Sequence, residues 1–437
     1  MPSEEISRGY VSFFSQSGLR LSNLYWGQLS HAIANDLAPI WADPKKLKKQ
    51  LSAVISPNDP PETQIRQIYA RMQKIRNLDY EPAQTQQEAK RQHLKESNSV
   101  EDVLKRNYGF GDEIDFVFVA LLKAAGFEAA PLLVRSRDRG TFDPEYPVLN
   151  QLDAWVVWVE AGGKNYFLDP ATRYCPFGTL PWKKSGTAGI ALTVGASLGL
   201  SKNTSTQYTG IVTTPPLVST MAVLERTATL NLDGEGNAEG RVSVTYSGQE
   251  ALARRIAGIP MDEAKRRDVL EEEVKTWLPG ATVKLDRLED WESQELPIHA
   301  QFNVKLPGFA ASTGRRLLFR AALFNGGAQP FKSPTRINPV YFNYPSEEKD
   351  DVTWNLPDGY RVSGHPENQD RSTLFGNFAF SSEDSGTKFQ THRRFTTANQ
   401  SVAVDFYAAL RSYFNGVRLN DESQIVIETT GGQNAAK

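Results

Sequence analysis

Cysteine is almost absent from this sequence. Cys175 is the single cysteine among 437 residues, so an intrachain disulfide bond is excluded. One thiol does not identify the redox compartment. A chain of this length is expected to fold as two or three domains, and hydrophobic cores must stabilise those domains without the help of disulfide bonds.

Long apolar stretches and signal sequences are missing as well. The longest apolar run, residues 189–200, is rich in Gly and Ala and is too short to span a bilayer. Residues 1–6 have neither the basic start nor the apolar core of a signal peptide. We therefore expect a chain with no transmembrane segment and no signal peptide.

An excess of charge of either sign is also absent. The chain has 49 basic and 51 acidic side chains, which give a net charge of −2. A near-neutral chain lacks the electrostatic attraction that draws basic proteins to nucleic acids and anionic membranes, so nucleic acid is not an expected partner. Hydrophobic residues make up 40% and charged residues 23% of the chain, values typical of globular proteins.

Hydrophobic periodicity predicts the fold class of the first half. Residues 116–125 are apolar on nearly every side and predict a central buried helix. Residues 129–134, 154–159 and 165–168 predict strands of an antiparallel sheet, with a hairpin turn at 160–163. One buried helix that packs on an antiparallel sheet is an α+β fold.

Alternating polar and apolar residues dominate the second half. This pattern predicts a β-rich region that is interrupted by helices at residues 249–257 and 262–278. Residues 184–216 are rich in Gly, Ser, Thr and Pro, which is typical of a linker. We therefore expect a β-rich domain with two helices at 217–340 and a C-terminal β subdomain at 341–430.

Two short motifs carry a resemblance to a known family. Residues 153–156 read DAWV, and residues 167–172 read FLDPAT. With the buried helix before them, these motifs resemble the transglutaminase-like superfamily, a branch of the papain-like fold. That family has a Gly-x-Cys at the start of its buried helix, a His at the start of the next motif and an Asp in a Leu-Asp-Pro-Thr motif. The resemblance is specific over residues 99–181.

The resemblance also implies a domain organisation. It is to a bacterial subgroup in which β-rich domains of unknown function flank the core. It implies a transglutaminase-like domain at 20–183, preceded by the remnant of a β-domain at 1–19, while residues 344–357 resemble the C-terminal domain of the subgroup. The tail at 431–437 is predicted to be disordered. The subgroup implies an extracytoplasmic location, either periplasmic or secreted.

The catalytic positions of the family are substituted in this chain. By the resemblance, the nucleophile position falls on Gly111 and the general-base position on Asp153, while Asp169 keeps the family residue. A cysteine triad needs a thiol at a helix N-terminus and an imidazole within reach of it. Since both are missing, we predict a pseudoenzyme that acts as a binding or scaffold module for a protein, peptide or glycan.

Relocated chemistry is the alternative hypothesis. Cys175 is a candidate nucleophile for a hydrolase or acyl transferase of the protease or transglutaminase type. None of the five histidines lies between Gly111 and Leu180, but His93 could fold back toward the core. This alternative requires Cys175 within hydrogen-bond reach of a base, or carboxylates that converge on one point.

Acidic and aromatic residues provide further candidates. Asp112 and Glu113 lie in the first turn of the buried helix. Together with the carboxylates of the triad positions they could hold a hard cation such as calcium, or act as acid and base on a glycoside. Trp155 and Tyr174 are candidates for the lining of the ancestral cleft. We predict no cofactor, with a divalent cation as the alternative.

Overall fold

Two compact units make up the chain, an N-terminal unit that ends at Leu217 and a C-terminal unit that begins at Val218. The computed structural model describes residues 22–38, 44–81, 97, 99–192, 210–324 and 330–430. The predicted β-domain remnant at 1–19 and the predicted tail at 431–437 therefore lie outside the described residues. The chain is α+β, because each unit combines helices with sheets in which antiparallel pairing predominates.

Helices occupy most of the first part of the N-terminal unit. Those in the described residues are α1 (Ser22–Leu37), α2 (Pro44–Leu51), α3 (Pro61–Met72), α4 (Val100–Arg106) and α5 (Gly111–Ala124). Ile65, Ile68 and Met72 form a fully buried stripe on α3, as their helical spacing predicts. Helix α5 is buried along most of its length and is the central helix of the unit. Gly126 follows it with a left-handed φ of +94°, which lets the chain leave the helix.

An antiparallel sheet of five strands packs against α5. Two short strands, β1 (Arg76–Asn77) and β2 (Tyr108–Gly109), pair separately in parallel. The sheet consists of β3 (Glu128–Val134), β4 (Ala154–Ala161), β5 (Lys164–Leu168), β6 (Ala188–Ala191) and β7 (Ile211–Thr213), in the order β5-β4-β3-β6-β7. Phe118 and Leu122 of α5 share one core with Val157 and Val159 of β4.

The segment 184–216 differs from the linker that its composition suggests. It contributes β6 and β7 to the sheet of the N-terminal unit, and β6 pairs with β3. The physical reason is that Ile190 and Val212 are buried in the core, although neither residue lies in the alternating pattern by which strands were predicted elsewhere.

The C-terminal unit is built on an eight-stranded sheet. Its strands are β8 (Ala222–Leu232), β9 (Ala238–Gly248), β10 (Thr282–Glu289), β11 (Ile298–Leu306), β15 (Glu347–Asn355), β17 (Gln369–Thr373), β18 (Gly376–Asp384) and β19 (Lys388–Thr396). Their order is β10-β11-β9-β8-β15-β19-β18-β17, and all neighbours are antiparallel except β8 and β15.

A smaller sheet and three helices complete this unit. The sheet has the order β12-β13-β21-β16, from strands Ala311–Thr313, Arg316–Arg320, Gln424–Thr429 and Tyr360–Gly364, while β14 (Val340–Tyr341) pairs with β20 (Ser401–Val402). The helices are α6 (Gln249–Ala257), α7 (Glu263–Trp277) and α8 (Tyr407–Asp421). The first two coincide with the predicted segments.

The regions predicted as separate domains, 217–340 and 341–430, share one sheet. Strands β15 and β17 to β19 come from the second region, and β15 pairs with β8 of the first. Trp354 of β15 belongs to the same core as Phe302 of β11 and Phe319 of the smaller sheet. Alternation identifies the strands but not their partners, so the sequence did not reveal that these regions fold together.

A charged cluster lies inside the core of the C-terminal unit. The Arg226 guanidinium donates to Asp350 with an Nε–Oδ1 distance of 2.6 Å, and the Arg393 guanidinium donates to Asp421 with an Nε–Oδ1 distance of 2.8 Å. Glu348 accepts a hydrogen bond from each arginine at 3.1 Å. Each of the two arginines is therefore neutralised by more than one carboxylate.

Candidate functional site

The predicted nucleophile position, Gly111, lies at the first residue of α5 and faces a carboxylate. Its backbone N–H donates a hydrogen bond of 2.9 Å to Oδ2 of Asp79. A Cβ atom added at Gly111 would lie 2.6 Å from that oxygen and 3.6 Å from Cβ of Ala171. The space in which a nucleophilic side chain would begin is therefore taken by Asp79, which also satisfies the positive end of the helix.

Short polar contacts hold Asp79 in this place. The backbone N–H of Asp79 donates to the side-chain oxygen of Asn77 at 2.9 Å. The amide nitrogen of the same Asn77 side chain donates to the carbonyl of Ala171 at 2.8 Å. The segment that carries Asp79 is thus joined to the turn that follows Asp169.

The carboxylate of Asp153, the predicted general-base position, accepts hydrogen bonds from the loop that follows β3. Its carboxylate accepts hydrogen bonds from the backbone N–H of Ser136 at 2.7 Å and from the Ser136 hydroxyl at 2.6 Å. Arg139 donates to the same carboxylate at 3.2 Å. These partners all belong to the loop after β3, so the observed role of Asp153 is to anchor that loop.

The third triad position, Asp169, is fully buried and saturated with donors. Its Oδ1 accepts from the backbone N–H of Thr172 at 3.0 Å, and its Oδ2 accepts from the Thr172 hydroxyl at 2.6 Å. The ammonium of Lys184 lies 2.8 Å from the same Oδ2. A lysine thus pairs with the carboxylate that would orient a histidine in a triad.

A second buried carboxylate, Asp115, accompanies this ion pair. It lies one helical turn after Gly111 on α5 and is 1% exposed. Its Oδ1 has no hydrogen-bond partner. Burial, together with the nearby charge of Asp169, raises the pKa of Asp115 well above its usual range. Although burial disfavours the ammonium, the carboxylates of Asp169 and Asp115 raise the pKa of Lys184.

The alternative nucleophile, Cys175, is fully buried. Its Sγ lies 3.5 Å from the carbonyl oxygen of Thr179, to which it donates. Burial, and then the charge of Asp169, raises the pKa of the Cys175 thiol, so the thiolate is scarce at neutral pH. None of the four histidines in the described residues hydrogen-bonds to this thiol. His93 lies outside the described residues.

The four cleft candidates have separate local roles. Asp112 is exposed, and the carboxylate of Glu113 accepts from the backbone N–H of Phe110 at 2.8 Å. Trp155 packs edge-on against Phe116 of the core, with ring centroids 5.0 Å apart. Tyr174 is buried, with a left-handed φ of +63°. Helix capping and core packing therefore account for the contacts of these residues.

Within the described residues, no group of three or more His, Cys, Asp or Glu side chains is arranged to hold a metal ion. In the same part of the chain, no helix is both long enough and apolar enough to cross a bilayer.

Sequence reasoning placed Asp115 among the acids that follow Gly111 but did not predict that it is buried. It missed Asp79 and Lys184. These two residues had no signal in the sequence, since each lies far along the chain from the residue that it contacts.

A groove on the C-terminal unit was also missed. It has a volume of about 480 Å³ and lies on the polar face of the large sheet. Its lining includes Lys349, Asp351, Asp370, Ser381, His392 and Arg394. In this groove Nδ1 of His392 lies 2.5 Å from Oδ1 of Asp351, and the register places Ser381 opposite His392 on β18. Alternation alone assigns these residues to solvent.

This chain has limited similarity to known proteins. Residues 315–427 match the model of a domain of unknown function that has a solved structure (DUF3858), a range that contains residues 344–357. No curated protein matches the chain. A crystal structure described as a putative protease from Parabacteroides distasonis ATCC 8503 aligns with 13% identity and a TM-score of 0.48. The alignment covers 92% of this chain, which spans 58% of that protein.

Proposed function

We propose that the N-terminal unit is a transglutaminase-like domain that has lost catalysis and serves as a scaffold. The observation that carries this proposal is the hydrogen bond from the N–H of Gly111 to Asp79. Family chemistry requires a thiolate at this helix end, and here a carboxylate from another segment occupies the same position.

The remaining polar groups of the ancestral site support the same proposal. Asp169 is neutralised by Lys184, and Asp153 is engaged by Ser136. A general base must be free to accept a proton from a nucleophile. Because these carboxylates have partners of their own, they fit a structural role better than acid–base catalysis.

Ligand binding, in this proposal, belongs to the groove on the C-terminal unit. Its lining combines cations with carboxylates and a hydroxyl, and it lacks an exposed aromatic platform among the residues that the structure describes. Such a lining fits a polar ligand that both donates and accepts hydrogen bonds. An extended peptide or a glycan has this chemistry.

An amine-incorporation assay on the full chain tests the loss of catalysis. The purified chain is incubated with a fluorescent primary amine and a glutamine-rich protein, and we expect no incorporation above a sample without the chain. The control is Cys175→Ser, which removes the only thiol. Incorporation by the natural chain that disappears in this variant would support relocated catalysis and overturn the proposal.

Binding at the groove has its own test. A panel of peptides and oligosaccharides is screened by calorimetry, and a bound ligand is then measured against His392→Ala. The matched control is His299→Ala, because His299 lies on β11 of the same sheet, outside the groove lining. We expect a ligand to lose affinity only in the first variant. Equal affinity for both variants would remove the groove from the proposal.

A further inference from the structure

Lys184 and Asp169 hold an amine and a carboxyl group in direct contact inside the N-terminal unit. The Lys184 Nζ lies 2.8 Å from Oδ2 of Asp169. The Asp169 side chain has no exposed surface, and that of Lys184 is 19% exposed. Two groups held at contact distance in a dry site react as one molecule, with an effective molarity far above that of free reactants.

Donors on Thr172 fit the charge that such a reaction develops. Its backbone N–H donates to Oδ1 of Asp169 at 3.0 Å. Attack on the carboxyl carbon would place negative charge on this oxygen, and a fixed N–H donor stabilises an oxyanion. The Thr172 hydroxyl donates to the other oxygen, Oδ2, at 2.6 Å, which is the oxygen that must leave.

A proton carrier is also present. Asp115 is almost completely buried and its Oδ1 has no hydrogen-bond partner, and in its ionised form it raises the pKa of Lys184. A buried acid with a raised pKa holds its proton near neutral pH. The ordinary interpretation of Asp169 and Lys184 as an ion pair leaves the partnerless Oδ1 of Asp115 without a role.

We propose that Lys184 and Asp169 condense into an intramolecular isopeptide bond, with Asp115 as the proton carrier. The bond would join the turn after β5 to the segment before β6. The site acts on its own chain, so its substrate is the side-chain amine and the side-chain carboxyl group of the same molecule.

The reaction balances without a co-reactant. The resting pair is an ammonium and a carboxylate, so a proton first passes from Lys184 to Asp169 across their contact. The neutral amine then attacks the carboxyl carbon and forms the C–N bond. Asp115 donates its proton to Oδ2, which leaves as water when the C–O bond breaks, and takes back a proton from the nitrogen. The products are one amide and one water molecule.

Formation of the amide also removes an electrostatic cost. Two charges taken from water into a protein interior carry a desolvation penalty that their mutual attraction only partly offsets. The amide is neutral, and its carbonyl oxygen keeps the hydrogen bond from Thr172. The buried site therefore favours the condensed product more than water would.

Intact-mass spectrometry of the denatured, full-length chain tests the bond directly. We expect a mass lower than that of the sequence by one water molecule. Trypsin should then release residues 165–173 covalently joined to residues 184–202, because the modified Lys184 no longer provides a cleavage site. A chain with the full sequence mass and two separate peptides would overturn the proposal and leave an ion pair.

Variants separate the bond from other sources of mass loss. Lys184→Arg should restore the full sequence mass. Lys183→Arg is the matched control, because this neighbouring lysine is half exposed and pairs with Asp138, so the loss of water should persist. Asp169→Asn should lose one ammonia molecule instead of water, since the amide nitrogen is then the leaving group.

The role of Asp115 is tested separately. Asp115→Ala should accumulate the full sequence mass while circular dichroism shows a folded chain. If the loss of water persists in this variant at the natural extent, Asp115 is not the proton carrier.

Discussion

The carboxylate of Asp79 caps the helix that begins at Gly111, with an N–Oδ2 distance of 2.9 Å across 32 residues of sequence. A side chain at Gly111 would displace the carboxylate of Asp79, because the added Cβ would lie 2.6 Å from that oxygen. Restoring a thiol at this position would therefore cost the helix this hydrogen bond.

The first prediction concerns Gly111→Cys. The substitution should push the exposed Asp79 side chain away and lose its hydrogen bond, so we expect the free energy of unfolding to fall by roughly 1–2 kcal/mol, the cost of losing a helix cap. Asp79→Ala should cost about the same, because it removes the same bond. Urea unfolding measures both.

The double variant is the control for this interpretation. If both substitutions remove one hydrogen bond, Gly111→Cys should add little to Asp79→Ala. The introduced thiol of the double variant should also react with iodoacetamide faster than Cys175, because a helix N-terminus lowers the pKa of a thiol. If the losses caused by Gly111→Cys and Asp79→Ala simply add in the double variant, the two substitutions do not remove the same hydrogen bond, and this interpretation is wrong.

The second prediction concerns Asp153. Asp153→Ala should destabilise the chain by about 1–3 kcal/mol, because it removes the acceptor of the backbone N–H of the buried Ser136 and one hydrogen bond of the Ser136 hydroxyl. The measurement is again urea unfolding. Glu128→Ala is the control, since this residue is exposed on the preceding strand, β3, and should cost much less. Equal effects would argue against an anchoring role for Asp153.

The third prediction concerns the pH dependence of stability through Cys175. Its folded-state pKa is raised by burial, whereas the unfolded thiol titrates near pH 8.5. Between these values the unfolded chain binds fewer protons than the folded chain. The stabilisation is therefore complete below about pH 8.5 and is lost as pH rises, at about 1.4 kcal/mol per pH unit.

A comparison of the natural chain with Cys175→Ala isolates the contribution of the thiol to the pH dependence of the free energy of unfolding. Other groups titrate equally in both proteins, so the difference between their free energies of unfolding should be constant from pH 6 to 8 and should then change in favour of the variant. Two parallel curves up to pH 10 would show that the thiol is not held in its protonated form.

The sequence predicts the elements of this chain better than their partners. Residues 116–124 form part of α5 because a helix that is apolar on nearly every side must be buried, and the alternation at 298–306 matches β11 because one face of the sheet is buried. The contact of Lys184 with Asp169 had no such signal. This contact depends on the path of the chain over the 15 positions from Asp169 to Lys184, and neither composition nor periodicity predicts that path.

At the candidate site, too, the sequence marks individual positions but does not predict their partners. The resemblance marked Gly111, Asp153 and Asp169 by spacing, and the structure places Gly111 and Asp169 near one turn of the chain through Ala171. The groups that now satisfy these positions are Asp79, Ser136 and Lys184. All three come from other segments, so local sequence carries no information about them.

The last prediction concerns the buried arginine of the C-terminal unit. Arg393 donates to Asp421, Glu348 and Asp350. Arg393→Ala leaves these carboxylates without a cation in the core, so we expect a loss of roughly 3–5 kcal/mol in the free energy of unfolding. The loss should shrink at acidic pH, because protonated carboxyl groups no longer need the cation. The matched control is Arg287→Ala, since that side chain on β10 of the same sheet is 68% exposed and its partner Glu289 is 44% exposed, so the pair should contribute about 0–1 kcal/mol. Similar losses in both variants would mean that the charged cluster is solvated, and that the core of this unit does not depend on it.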